Sequence, residues 1–155
     1  MKFTHLVEIN DPLNPLIDTL TRDQVWRGLV LRAEDPKAFI PWLDRCTILE
    51  KSDTNLTRIS HYGELAVHDS VQLIAQQKVI YTIPPQKDIP ASSLAMTIEE
   101  PEPDILFVRF EYEDSTGEPT DSEQVMYNDF RKSAYEEADI DTIRIIRQKV
   151  ESGEI

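Results

Sequence analysis

The residues best placed to do chemistry in this sequence are Arg58 and Asp69, which lie in two neighbouring segments rich in β-branched and aromatic residues. The dipeptide Gly63-Glu64 separates these segments and is typical of a two-residue hairpin turn. With that turn, the antiparallel register sets Arg58 directly opposite Asp69. The sequence therefore predicts a charged pair formed by side chains of two adjacent strands.

We expect this pair to face a cavity rather than solvent. Successive side chains of a strand point to opposite faces, so Arg58 and Asp69 share one face of the predicted hairpin. The other residues on that face of the second strand are all apolar: Leu65, Val67, Val71 and Leu73. An apolar face of this kind packs toward the interior, so the pair becomes a polar spot on an apolar wall.

Two interpretations of the pair are open. The two side chains could form the polar end of a binding site, hydrogen-bonding a ligand carbonyl or phenol, or even acting as an acid–base couple. Alternatively, they could satisfy each other as a cross-strand ion pair that fixes the strand register. A carboxylate held by a guanidinium is a poor general base, which favours binding over catalysis. We therefore assign no catalytic residue, although Asp69, Tyr62 and Tyr127 are the candidates if the protein is an enzyme.

A larger set of aromatic and aliphatic residues is predicted to form the wall of the site. Each of them could instead be plain core packing. Tyrosines are the more informative members, because a buried phenol needs a hydrogen-bond partner that a ligand could supply. The residues expected to contact the ligand, in addition to Arg58 and Asp69, are Trp26, Val30, Phe39, Tyr62, Val67, Val71, Phe110, Tyr112, Tyr127, Phe130 and Ala134.

Other chemistry is not indicated. His61 and His68 are expected on the outward face of the hairpin with no third ligand nearby, so no metal site is predicted. His5 stands alone on the first strand, and Cys46 has no neighbouring motif that would activate its thiol. The sequence contains only four glycines and no phosphate-binding loop or nucleophile elbow. We predict no cofactor.

Composition limits the partners. The 155 residues carry a net charge of −13, which repels nucleic acid and anionic membrane surfaces. No apolar run is long enough to cross a bilayer, and a single cysteine excludes an internal disulfide. We expect a cytoplasmic protein with one domain over residues 1–155. It should be a monomer or homodimer, with a small hydrophobic molecule as its partner.

The elements that must position the site alternate in type along the chain. Strand-like residues at 5–10 precede a helix that starts with the capping box Thr21 to Gln24, and Asp35-Pro36 begins a second short helix. Six short strand-like segments separated by turns then predict an antiparallel meander. Pairing Glu100 with Ile105 would set Met96 opposite Arg109, which conflicts with the apolar alternation unless a β-bulge intervenes.

The last predicted element is a long amphipathic helix. Tyr127, Phe130, Ala134 and Ala138 form one apolar face over residues 123–138. Beyond them, Ile140 interrupts the pattern, and a continuation capped by Asp141 is expected. A helix of this length needs a surface to bury its apolar face, and the concave face of the sheet is the large candidate.

The order and the local text of these segments resemble the AtaL-like family, which is named for a member associated with a fungal acetylaranotin pathway. The resemblance is carried by residues 20–29, 39–43, 98–101, 106–110 and 137–142. It implies an α+β helix-grip fold (START-like or Bet v 1-like, in the SRPBCC superfamily). In that fold, a seven-stranded antiparallel sheet wraps around a long C-terminal helix and two short helices follow the first strand.

What the resemblance implies about function is a cavity between sheet and helix. Superfamily relatives use it for lipid carriage, hormone sensing, polyketide cyclisation and chaperone activation. Function has to be argued from the site, because one fold hosts many activities. We expect binding of a small hydrophobic or aromatic ligand. The alternative is an enzyme of secondary metabolism, of cyclase, dehydratase or hydrolase type, acting on a polyketide-like substrate in the same cavity.

Overall fold

The computed structural model describes residues 1–155 as one antiparallel sheet of seven strands with two α-helices, which confirms the predicted α+β helix-grip architecture. Around the sheet the strands follow the order β1-β7-β6-β5-β4-β3-β2. A single 3-10 turn, Pro36–Ala38, replaces the second short helix expected after α1. The elements are β1 (Lys2–Glu8), α1 (Arg22–Glu34), β2 (Arg45–Lys51), β3 (Asn55–Tyr62), β4 (Leu65–Ile74), β5 (Lys78–Ile83), β6 (Ser92–Glu102), β7 (Ile105–Asp114) and α2 (Ser122–Glu151).

The predicted register of the β3–β4 hairpin is confirmed. Arg58 pairs with Asp69 across the two strands, and the turn consists of two residues. Gly63 in that turn has a φ of 59°, a left-handed conformation that favours glycine. The backbone N–H of Gly63 also donates to the Asp44 carboxylate, 2.6 Å away, which ties the turn to the start of β2.

The β-bulge that the apolar alternation required is present at the β6–β7 hairpin. The register shifts between Glu99 and Glu102, so that one extra residue is inserted in β6. As a result Met96 pairs with Phe110 instead of Arg109, and both side chains lie fully in the core. The bulge thus keeps the apolar residues of both strands on the concave face.

The first helix begins as the sequence predicts. The Thr21 hydroxyl accepts a hydrogen bond from the Gln24 backbone N–H, and the Gln24 side chain accepts one from the Thr21 backbone N–H. The first strand, in contrast, covers residues 2–8 rather than 5–10. The reason is that Asn10 leaves the sheet: its side chain hydrogen-bonds the Leu20 backbone N–H and C=O, which closes the loop before α1.

The C-terminal helix differs from the prediction. It is continuous over 30 residues, and Asp121 is its N-cap, so neither Ile140 nor Asp141 interrupts it. Its C-terminal half packs into the core through Ile143 and Ile146, which fixes the rotation of the whole helix. Because each residue turns the helix by about 100°, Asn128 falls in phase with Ile146 and is buried.

The expected apolar face of α2 is therefore turned away from the sheet. Tyr127 is 63% exposed and Phe130 is 72% exposed, and Ala134 is exposed on the same side. The prediction of this face was wrong because it followed hydrophobicity in the N-terminal half alone, whereas the buried contacts of the C-terminal half decide the helix phase. Neither α1 nor α2 has a stretch long and apolar enough to cross a bilayer.

The two helices meet closely at Gly28. A Cβ atom at this position would lie 2.7 Å from side-chain carbons of Ile146, far inside van der Waals contact. Glycine in the middle of a helix is otherwise unfavourable by about 1 kcal/mol relative to alanine. The close approach of α1 to α2 therefore explains why a glycine occupies this site.

We predict that Gly28→Ala destabilises the protein despite its better helix propensity. Overpacking costs roughly 1–3 kcal/mol, so the free energy of unfolding measured with urea should fall. The second change Ile146→Val should recover part of the loss, because it removes one of the methyl groups in conflict. Gly117→Ala is the control, since nothing lies near the added methyl group. A stability gain for Gly28→Ala would contradict the close contact.

Candidate functional site

A cavity of about 310 Å³ lies between the concave face of the sheet, α1 and α2. This volume is at the lower end of small-molecule sites, which span roughly 300–1,000 Å³. Much of its wall is aromatic or aliphatic, with four tyrosines from four different elements: Tyr62, Tyr81, Tyr112 and Tyr135. The wall also carries charged groups, and their arrangement determines what the cavity can do.

Arg58 and Asp69 form a buried bidentate ion pair on this wall. The Arg58 Nε and Nη2 atoms donate to the two carboxylate oxygens of Asp69 at 2.9 and 2.6 Å. Arg58 Nη1 donates to the carbonyl of Ala33 at 2.8 Å, in the last turn of α1, where helix carbonyls lack intrahelical partners. Arg58 thus joins β3, β4 and the C-terminal end of α1.

The guanidinium keeps its charge in this environment. Burial by itself would lower the pKa of Arg58, but the hydrogen bonds and charge of Asp69 outweigh burial and raise the pKa above its ordinary value. Both oxygens of Asp69 are occupied by the guanidinium. The geometry agrees with both interpretations of the pair. The two side chains satisfy each other as a cross-strand ion pair, and both also line the cavity.

A second buried network connects the cavity to the first strand. The Tyr112 hydroxyl donates to Asp139 Oδ1, and His5 Nδ1 lies 3.1 Å from Asp139 Oδ2. When Asp139 is ionised its oxygens only accept hydrogen bonds, so in that state this His5 nitrogen carries a proton. Asp139 is 2% exposed, and Tyr112 is the member of the network that lines the cavity.

Burial shifts the pKa values of this network. It raises the pKa of Asp139 to about 6, although the hydrogen bonds from Tyr112 and His5 act in the opposite direction. Burial, followed by the negative charge of Asp139, also raises the pKa of Tyr112 well above its ordinary range. Tyr112 therefore stays a neutral phenol, and Asp139 can exchange a proton near neutral pH.

Aromatic stacking fixes the position of Tyr112. The centroid of its ring lies 4.0 Å from the ring centroid of Tyr135 on α2, and the two planes are 10° apart. The Phe3 ring stacks against both, with centroid distances of 6.1 Å to Tyr112 and 6.4 Å to Tyr135. The N-terminal half of α2 is further held by an ion pair between Arg131 and Asp114 at the end of β7. These contacts place Tyr135 over the cavity.

The structure brings four of the thirteen residues expected at the ligand to the cavity wall: Arg58, Tyr62, Asp69 and Tyr112. The buried core contains Phe39, Val71 and Phe110, with Trp26 and Val30 packed against it. Val67 is half-buried on β4 beyond the cavity, and Tyr127, Phe130 and Ala134 lie on the exposed side of α2.

Sequence reasoning missed several wall and network residues. No role is predicted for Asp139 from the sequence, and His5 is expected to stand alone on the first strand. Their pairing joins positions 134 residues apart, which local spacing does not encode. Tyr135 could have been found, because it shares a helical face with Asp139 and Ile146, which follow it by four and eleven residues.

Comparison with known proteins identifies the family. The family described as acetylaranotin biosynthesis cluster protein L, or AtaL, matches residues 7–153. The chain belongs to the AtaL family. No curated protein sequence matches the chain at a significant level.

Several solved structures share the fold of this AtaL-family chain. The Zhui aromatase/cyclase from Streptomyces sp. R1128 has a TM-score of 0.67 at 15% identity, covering 97% of this chain and 95% of that one. Human STARD10 has a TM-score of 0.67 at 10% identity, with 99% and 66% covered. A START superfamily protein from Mycobacterium smegmatis has a TM-score of 0.62 at 13% identity, with 97% of each chain covered. At these identities the likeness concerns the fold alone.

We predict that breaking the Arg58–Asp69 pair from one side is strongly destabilising. Asp69→Asn or Arg58→Met should each lower the free energy of unfolding by about 3–5 kcal/mol, because a buried charge loses its partner. The double variant Arg58→Met/Asp69→Leu should lose less than the two single losses combined. Arg27→Met, which breaks an exposed pair with Asp23, should leave the urea midpoint near wild type. Additive losses would show that the two groups are not coupled.

Asp139 should make stability depend on pH. Its pKa is about 6 in the folded protein against 3.8 ordinarily, so the folded state binds the proton more tightly. Lowering the pH from 7.5 to 5 should therefore stabilise the protein by about 1 kcal/mol through this group. The measurement compares urea unfolding of His5→Gln with that of His5→Gln/Asp139→Asn, so that the two variants differ only at Asp139. A gain of equal size in both variants would exclude Asp139 as the source.

Proposed function

We propose that the protein binds a small hydrophobic or aromatic molecule in the cavity between the sheet, α1 and α2. The observation that carries this proposal is the four-tyrosine wall around about 310 Å³ of space, which Ile40, Ile83 and Leu94 also line. Tyrosines give a large contact area at a low cost in conformational entropy, and their hydroxyls orient a ligand. A plain packed core would leave no space of this size.

The cavity is large enough to give useful affinity without catalysis. A ligand that buries about 300 Å² of apolar surface gains roughly 7 kcal/mol before the costs of association. Polar contacts with the ligand at the Arg58 end of the cavity would fix the orientation of the ligand. The net charge of −13 disfavours nucleic acid as a partner, and the single Cys46 fits a reducing cytoplasmic setting.

A second candidate function is catalysis on a polyketide-like substrate in the same cavity. The observation in its favour is the Tyr112–Asp139–His5 network, which leads from the cavity wall to a carboxyl group whose pKa burial raises to about 6. Such a group can take up or release a proton near neutral pH, as general acid–base catalysis requires. The family description and the aromatase/cyclase neighbour fit this candidate as well.

The binding proposal predicts that the neutral fluorophore N-phenyl-1-naphthylamine binds the protein with a dissociation constant in the micromolar range. Leu94→Trp should abolish the fluorescence rise, because Leu94 lies on the wall between Tyr81 and Tyr112 and the larger side chain fills the space. Excitation outside the tryptophan band keeps the new indole from contributing.

Leu65→Trp, at the exposed turn of the β3–β4 hairpin, is the matched control and should bind like wild type. Native mass spectrometry of the purified protein, followed by denaturing extraction, should in addition reveal any co-purified small molecule. If Leu94→Trp gave the same fluorescence rise as wild type, the fluorophore would bind outside this cavity. Turnover of a polyketide-like substrate that is lost in Asp139→Asn but kept in Asp141→Asn, at an exposed ion pair on the same helix, would favour the catalytic candidate.

A further inference from the structure

Arg32, on α1, also lines the cavity. The central carbon of its guanidinium lies 5.3 Å from the centroid of the Tyr81 ring. Burial raises the pKa values of Tyr62, Tyr112 and Asp139, and the positive charge of Arg32 opposes the rise in all three. These three groups lie on β3, β7 and α2. The positive charge of Arg32 is therefore close enough to affect ionisable groups of three different elements around the cavity.

Arg32 is the cation of this cavity that lacks a carboxylate partner. Its one side-chain hydrogen bond in the protein is from Nε to the Thr142 hydroxyl at 3.4 Å, which leaves both terminal nitrogens without an acceptor. Asp139 is the carboxylate whose pKa it affects, but Tyr112 and His5 already occupy the two oxygens of that group. The other charged groups on the wall all have partners: Arg58 with Asp69, Asp114 with Arg131 and the Met1 amino group, and Glu113 with Lys2.

A second polar group, on a residue of the cavity wall, is also unsatisfied. Tyr81 is 5% exposed, and its hydroxyl has no hydrogen-bond partner. Its ring lines the cavity, with the Arg58 guanidinium carbon 5.1 Å and the Arg32 guanidinium carbon 5.3 Å from the ring centroid. Buried hydroxyls are nearly always hydrogen-bonded, so the unpartnered hydroxyl of this cavity-lining residue favours a partner that the protein itself does not supply.

We propose that the ligand carries an anionic oxygen on a planar aromatic body, and that this oxygen binds the Arg32 guanidinium while the tyrosines contact the body. Carboxylate, phenolate and enolate groups share this chemistry, and a guanidinium binds each through charge-assisted hydrogen bonds. This inference rests on the proposed binding function. The overall charge of −13 repels anions at long range, so a preference for them must arise inside the cavity.

Isothermal titration of three naphthalene probes at about pH 7.5 tests the inference. The first, 2-naphthoate, is a carboxylate, and 2-naphthamide is its neutral counterpart of nearly the same shape. The third, 2,4-dinitro-1-naphtholate, is an ionised phenol. We expect 2-naphthoate to bind wild type at least about 10-fold more tightly than 2-naphthamide. Tight binding of the naphtholate too would support the wider class of anionic oxygens, and preference for 2-naphthoate alone would narrow the class to carboxylic acids.

Arg32→Gln should reduce the preference for 2-naphthoate to less than about 2-fold while leaving 2-naphthamide affinity unchanged. Arg27→Gln, on the exposed side of the same helix, is the matched control and should keep the preference. Tyr81→Phe provides a second variant: it should raise the thermal midpoint, because an unsatisfied hydroxyl is removed, and weaken 2-naphthoate binding severalfold.

The outcomes separate this inference from the proposed function. If 2-naphthamide and 2-naphthoate bind equally to wild type, the cavity binds aromatic molecules and the Arg32 inference is overturned. A preference that persists in Arg32→Gln overturns it as well. If neither probe nor N-phenyl-1-naphthylamine binds, the proposed function fails together with the inference.

Discussion

The arrangement of the cavity depends on one buried guanidinium. Arg58 is bonded to a carboxylate on the neighbouring strand and to a carbonyl at the end of α1, so a single side chain sets the distance between the helix and the sheet. A buried ion pair contributes little net stability when its desolvation cost is included. It does impose one geometry, because any displacement of α1 would leave a donor of the buried guanidinium and the Ala33 carbonyl without partners. The open space beside Arg58 is therefore enclosed by a rigid wall.

The polar character of the cavity follows from the rotation of α2. The sheet-facing residues of its N-terminal half include Asn128, Arg131 and Tyr135. After Asp139, the same face of the C-terminal half holds Ile143 and Ile146. One continuous helix thus covers the closed, apolar part of the sheet with one half and the cavity with the other. The aromatic side chains that a hydrophobicity pattern would place inside are turned to solvent, because the rotation of the helix is decided elsewhere.

Local signals in the sequence were sufficient for much of this fold. The two-residue turn at Gly63 determined which residues of β3 and β4 pair, and the capping box at Thr21 located the start of α1. The conflict between Met96 and Arg109 required a bulge that the structure contains. What could not be predicted depends on long-range packing: the phase of α2, the contact between His5 and Asp139, and the position of Arg32 over Tyr81. Only four of the predicted contact residues line the cavity, because an apolar residue on the concave face can equally fill the core.

The unequal anchoring of α2 has a mechanical consequence. From Asp139 onward the helix is embedded in the core, while the preceding 17 residues, about 25 Å of helix, are held by Arg131, Tyr135 and a single buried residue, Asn128. Such a helix behaves as a rod clamped at one end, in which thermal bending displaces the free end most. Tyr135 lies near the fixed end of this segment. A bend that moves Tyr135 slightly therefore moves the residues near Ser122 further. Amide hydrogens should accordingly exchange with solvent faster toward the start of the helix than in the half that is embedded in the core.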